Sequence, residues 1–170
     1  MSGQTILIAG IGNIFFGDDA FGVEVIRRLQ KRELRPEVKL VDFGIRGYDL
    51  AQELANGYDW VILVDAARSG APPGTLHLSE PILEELSGEA DAELLQGHGM
   101  VPTRAIAAAA ALGAQFKTLR LVSCEPASLE SNCETIFCLS DAVSAAADEA
   151  VVMIESLIEE FIASPCTNSA

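Results

Sequence analysis

The stretch Ile6–Leu29, ILIAGIGNIFFGDDAFGVEVIRRL, decides how the chain folds. It opens with Ile6-Leu7-Ile8-Ala9, an unbroken apolar run of the kind that fills a strand buried on both faces. A glycine-rich turn follows at Gly10, Gly12 and Gly17, then the adjacent acids Asp18 and Asp19. A helical pattern comes next, with Val23, Ile26 and Leu29 on one side and Glu24, Arg27 and Arg28 on another. A strand ends, a loop turns, and acids sit where a helix starts. In open α/β sheets, sites form at the carboxyl ends of strands. One Asp suffices to cap a helix and suits its dipole. Asp18 is assigned that cap, which frees Asp19 to face the crevice.

The turn is a poor nucleotide loop. After Gly10-x-Gly12 come Asn13-Ile14-Phe15, so the third glycine of G-x-G-x-x-G is missing, and no G-K-[ST] ends a P-loop. Two acids beside the turn would also repel a phosphate. The apolar run Ile14-Phe15-Phe16 either folds over the site, contacts a partner, or tucks into the core.

Working outward, the chain alternates strand and helix. Strands are expected at Thr5–Ala9, Val38–Val41, Trp60–Val64, Thr75–Leu78 and Thr118–Ser123, with Trp60–Val64 at the centre. Helices are expected at Asp19–Arg32, Tyr48–Ala55, Thr103–Leu112 and Ser140–Ile162, with a helical turn near Ile82–Leu86. The first three strands each finish at a turn carrying an acid: Asp18 or Asp19, Asp42, and Asp65. If those strands are parallel, the acids converge on one edge and raise one another's pKa values unless a cation relieves them. The competing reading has each acid capping its own loop.

Of the two histidines, His77 alternates with Leu76 and Leu78 and belongs on a partly exposed strand face. His98 lies between Gly97 and Gly99 just ahead of Pro102, at a helix start, where it can reach outward as a metal ligand or acid–base group. Two carboxylates and an imidazole suit nickel, zinc or manganese and leave open positions on the metal. H-E-x-x-H and G-x-S-x-G are absent.

At 170 residues the chain fits a single α/β domain, residues 1–170, with 164–170 as a frayed tail. A formal net charge of -14 argues against nucleic acid or an anionic membrane as partner. No leader-type N-terminus is visible, and no apolar run nears the roughly 18 residues of a membrane span. Cys124, Cys133, Cys138 and Cys166 form no C-x-x-C and are read as free thiols. Zinc held by Cys133 and Cys138 is a weak alternative. The expected location is cytoplasmic.

These residues match a known pattern. Gly10-Ile11-Gly12-Asn13 with Gly17-Asp18-Asp19-Ala20-Phe21-Gly22, then Asp65, His98 and Glu125-Pro126-x-Ser128-Leu129, resemble the hydrogenase maturation endopeptidases. Members of that family remove a C-terminal peptide from the large-subunit precursor of nickel–iron hydrogenases. The resemblance spans Ile6 to about Phe161. It implies a three-layer α/β sandwich with a twisted, mixed five-stranded sheet between helices. It also implies an aspartyl-type peptidase whose metal-contacting residues are Asp19, Asp65 and His98. The metal is nickel delivered by the substrate, and no nucleotide is used. The family's second loop commonly reads Asp-Gly-Gly-Thr-x-Gly. Here it is Asp42-Phe43-Gly44-Ile45-Arg46-Gly47, which keeps Asp42, Gly44 and Gly47 for substrate recognition but alters the residues between. That change bears on which large subunit is read. The expected partner is one hydrogenase precursor, met by a monomer. A non-proteolytic protein holding a divalent metal or a maturation intermediate is the alternative.

Overall fold

The structure, a computed structural model, describes residues 5–81, 102–130 and 136–164. Its strands are β1 (Ile6–Ile11), β2 (Val38–Gly44), β3 (Trp60–Ala66), β4 (Leu76–Ser79) and β5 (Thr118–Cys124). Its helices are α1 (Phe21–Leu29), α2 (Gly47–Ala55), α3 (Pro102–Ala111) and α4 (Asp141–Ala163), with a 3-10 turn at Gly17–Ala20. The expected turn near Ile82–Leu86, His98 on its glycine-flanked loop, and the tail beyond Ser164 lie outside the described residues.

The strands form one five-stranded sheet in the order β2-β1-β3-β5-β4. β1 pairs in parallel with β2 and β3, and β3 with β5. β4 runs antiparallel to β5 and makes the sheet mixed. β1 and β3 read as continuous apolar runs because both of their faces are covered. On one face, Phe21, Val25, Ile26 and Leu29 of α1 and Val143, Ala147, Val151, Ile154 and Phe161 of α4 pack on Ile6, Ile8, Ile62 and Val64. On the other, Leu50 and Leu54 of α2 and Ala105, Ile106 and Ala109 of α3 pack on Leu7, Ala9, Val61 and Leu63. This is the three-layer sandwich with a mixed five-stranded sheet that the family resemblance implies. The long apolar face expected on the last helix is buried, as its spacing requires.

Two glycines set how closely α1 lies on the sheet. A Cβ on Gly22 would stand 2.1 Å from the Val64 carbonyl oxygen and 2.3 Å from that of Ile11. Gly12 has φ +137, and a Cβ there would meet the Asp19 carbonyl oxygen at 1.8 Å. The glycines therefore serve close packing. Across the helices, Arg28 joins α1 to α4, donating to the Ser144 carbonyl at 2.7 Å and pairing with Asp148 at 2.8 Å.

Two expectations are corrected. Asp18 is not a helix cap: neither the 3-10 turn nor α1 has a side-chain cap. The chain enters α1 through the tighter turn, which aims Asp18 inward. Only 1% exposed, its carboxylate accepts from the backbone N–H of Ala127 (2.7 Å), Ser128 (3.2 Å) and Ser140 (2.7 Å) and from the Ser140 hydroxyl (2.9 Å). Ser140 in turn caps α4, its Oγ accepting from the Val143 N–H at 3.4 Å. Nor are all the cysteines free. Cys124 is free and buried, but Cys138 is disulfide-bonded. Linear spacing says little about which sulfurs meet in space. Burial, with Asp18 and Glu125 nearby, pushes the Cys124 thiol up to about 12, which makes it a poor nucleophile.

Removing the Asp18 carboxylate leaves part-buried donors unmet at Ala127, Ser128 and Ser140. Asp18→Ala is expected to lower the unfolding free energy by about 3 kcal/mol. Urea unfolding followed by circular dichroism measures this. A loss under about 1 kcal/mol would show that water replaces the carboxylate without strain.

Candidate functional site

The chain leaves β1, builds β2 on one side, then returns past β1 to build β3 on the other. The crevice beyond the carboxyl ends of β1 and β3 is thus a topological switch point, where open α/β sheets place their ligands. Asp19 follows β1 in the 3-10 turn, and Asp65 is the penultimate residue of β3.

The two acids meet there. Asp65 is only 6% exposed, and burial first, then the Asp19 charge, raises its pKa well above the ordinary value of 3.8. Asp19 is half-buried; its Oδ2 accepts the Asn13 N–H at 2.8 Å. Burial raises its pKa, and the Asn13 bond opposes that in part. No cation faces either carboxylate among the described residues: neither acid has a salt-bridge partner or a cationic cause for its shift. Such a pair fits a divalent cation, because an added positive charge would relieve both burial and mutual repulsion. The described residues contain no third His, Cys, Asp or Glu placed to complete a metal cluster. His98, the sequence-predicted third member, lies outside them.

Asp42 lies two residues before the end of β2 (Val38–Gly44), toward the same edge, but is exposed, and it is not among the groups acting on Asp65. Its loop is nevertheless built. Arg46 donates to the carbonyls of Asp42 and Phe43, and its guanidinium lies 5.9 Å above the Phe43 ring. Gly44 accepts the Gly12 N–H at 3.0 Å, tying this loop to the first, and Gly47 opens α2. Three acids at one edge therefore resolve into a buried pair and an exposed neighbour.

Large apolar side chains stand out on these same loops. Phe15 is 61% exposed and Tyr48 65%, and Phe16 and Ile45 are exposed as well. The run Ile14-Phe15-Phe16 does not tuck into the core: Ile14 is half-buried and both Phe residues are exposed. Sequence reasoning did not mark Tyr48, though its place next to Gly47 was signal enough.

A doubly wound sheet with a paired carboxylate site at its switch point defines the class of molecule. Comparison with known proteins defines it further. The HycI hydrogenase maturation protease model matches residues 23–157, and the chain belongs to that family. The hydrogenase maturating endopeptidase HybD from E. coli superposes with a TM-score of 0.73 at 30% identity, covering 92% of this chain and 93% of its own. The [NiFe] hydrogenase maturation protease HycI from Thermococcus kodakarensis KOD1 gives a TM-score of 0.67 at 27% identity, covering 93% and 95%. The hydrogenase expression/formation protein HupD of Rhizobium leguminosarum bv. viciae is 33% identical over 126 residues, or 74% of this chain and 61% of HupD. The chain thus spans about three fifths of the curated relatives it matches.

A carboxyl whose pKa is raised by folding adds stability that is fully present below its unfolded value and is lost as pH rises through the folded one. Ionised Asp65 therefore costs stability at neutral pH. Asp65→Asn is expected to melt higher than the parent at pH 7, by roughly 2–4 °C for each kcal/mol of relief. The difference should close as pH falls below 3.8, the ordinary value for Asp. Thermal melts across pH 3–8 measure it; an equal or lower melting point at pH 7 would mean Asp65 is satisfied as an anion.

Proposed function

We propose that this protein is an endopeptidase that removes the C-terminal peptide of a nickel–iron hydrogenase large-subunit precursor once nickel has been inserted. The observation that carries the reading is the Asp19–Asp65 pair, two partly desolvated carboxylates held together with no cation facing them among the described residues. Membership of a maturation protease family supports the same reaction class.

On this reading the metal arrives with the substrate. Asp19, Asp65 and His98 bind nickel in the precursor and so report that assembly is ready for cleavage. Hard carboxylate oxygens and a neutral imidazole suit nickel(II). The protein holds the carboxylates ready: Asn13 orients Asp19, and the β3 backbone orients Asp65. Binding relieves the burial cost that both acids carry when empty. Asp42, Gly44 and Gly47 form the loop that reads the precursor. Phe15, Phe16, Ile45 and Tyr48 supply apolar contact around it. The described residues include no helix long and apolar enough to cross a membrane. The protein acts in the cytoplasm as a monomer and needs no nucleotide.

Mass spectrometry of the large subunit, co-expressed with and without this protein and with nickel supplied or withheld, tests the reading. Truncation at the C-terminus is expected only when both are present. Asp19→Asn and His98→Ala are each expected to slow it by at least about 100-fold while leaving the fold intact. A large subunit that stays full-length under every condition, while the protein still binds it, would identify a non-proteolytic binding protein instead.

A further inference from the structure

The sheet face that carries Asp65 carries a second titratable group. In β3, Val61 and Leu63 pack in the α2–α3 layer, and Asp65 follows them with the strand period of two, on the same face. The register sets Asp65 beside Ser123 of β5, and Ser123 beside His77 of β4. The adjoining Leu76–Cys124 pair packs into the opposite layer, which fixes His77 on the Asp65 side. Asp65, Ser123 and His77 thus form one row across three strands. Strands lie about 5 Å apart, so the Cα atoms of Asp65 and His77 stand roughly 10 Å apart. Ser123 is the sheet position between them.

Neighbours decide where His77 carries its proton. Glu125 is buried, and its Oε2 accepts from the Ser69 N–H at 2.6 Å and the Ser69 hydroxyl at 2.7 Å. The Ser69 bonds, joined by the N–H groups of Gly70 and Ala71, hold the Glu125 carboxyl below its ordinary value, so it is an ionised, acceptor-only group. Ser69 has one hydroxyl proton, and it goes to Glu125. Toward His77 Nε2, 3.1 Å away, the Ser69 oxygen can only accept. Nε2 therefore carries hydrogen, and Nδ1 is the free nitrogen. Among the described residues Nδ1 has no hydrogen-bond partner. This is not a nucleophilic serine, whose proton must pass to the imidazole.

We propose that His77 is an acid–base residue of the cleavage site, held by Ser69 and Glu125 with Nδ1 free to protonate the leaving nitrogen. The inference rests on the endopeptidase reading. Water adds to the scissile carbonyl carbon and loses a proton to solvent. The C–N bond breaks, and its electron pair takes the proton from Nδ1 of the His77 imidazolium. His77 is left neutral with hydrogen on Nε2, the form the Ser69 contact selects, and it regains a proton from solvent. One water is consumed, and a carboxyl and an amine are produced.

The first readout does not depend on cleavage. The chain has two histidines, so a ¹⁵N-histidine-labelled sample assigned with His77→Gln reports the tautomer directly. Hydrogen on Nε2 of neutral His77 is expected, with the bias lost in Ser69→Ala; hydrogen on Nδ1 would overturn the proposal. The second readout is single-turnover cleavage of nickel-loaded precursor, with binding measured separately. His77→Gln is expected to slow cleavage by about 10²–10⁴-fold with binding unchanged. Added imidazole should restore part of the rate to His77→Ala. Ser69→Ala keeps the Ser69 N–H on Glu125, hence the loop, and should slow cleavage by about 10-fold. If the parent cleaves and His77→Gln matches it, or if the variant loses binding and imidazole restores nothing, His77 has no acid role. If the parent leaves the precursor full-length, the endopeptidase reading falls and this proposal with it.

Discussion

Everything at the carboxyl edge of this sheet is referred to one buried carboxylate. From the turn after β1, Asp18 gathers donors from two segments far away in sequence: Ala127 and Ser128, which follow β5, and Ser140, which starts α4. A charged acceptor meeting several aligned N–H groups is among the stronger polar arrangements a protein interior offers. Its charge is answered by these backbone and hydroxyl dipoles. The next residue is treated in the opposite way. Asp19 receives one backbone donor, lies half in solvent and shares its surroundings with Asp65. Adjacent aspartates thus divide the work: one is hydrogen-bonded into the frame, the other is left under-compensated at the crevice.

The same division explains what could be read from the sequence. β1 and β3 announce themselves as unbroken apolar runs, since both faces of a central parallel strand are covered. The small-residue pattern of α3 and the stripe along α4 give their placement for the same reason. The placement of Asp19 and Asp65 was legible because an acid at the end of a buried strand, or in the turn that leads from it into a helix, lands on the edge where the sheet opens. Asp18 was misread because a cap and a tertiary clamp look alike in a linear string. What separates them is whether the turn is α or 3-10, and that is decided by the packing of Gly12 on Asp19. The state of Cys138 was hidden for a related reason: it depends on a contact that spacing does not encode.

His77 shows a subtler limit. Alternation between two leucines placed it on a strand face, and the structure agrees. Which face mattered more, and that follows from antiparallel pairing with β5 through Ser123. Ser69 and Glu125 are 56 positions apart, and nothing in either segment hints that a carboxylate would claim the serine proton. Networks of this sort are properties of loop closure, where several short connections must satisfy their backbone groups at once.

The glycine contacts beneath α1 have one more consequence. The segment from Gly10 to Gly22 is gripped near both ends, at Gly12 against the Asp19 backbone and at Gly22 against β3. On its outer arc the side chains of Phe15 and Phe16 are exposed and touch little of this frame. Composition there is open to drift, whereas one residue added or removed would rotate the acids away from the crevice. Among sequences that share this architecture, the number of residues between those two glycines should therefore behave as a fixed quantity, a ruler rather than a motif.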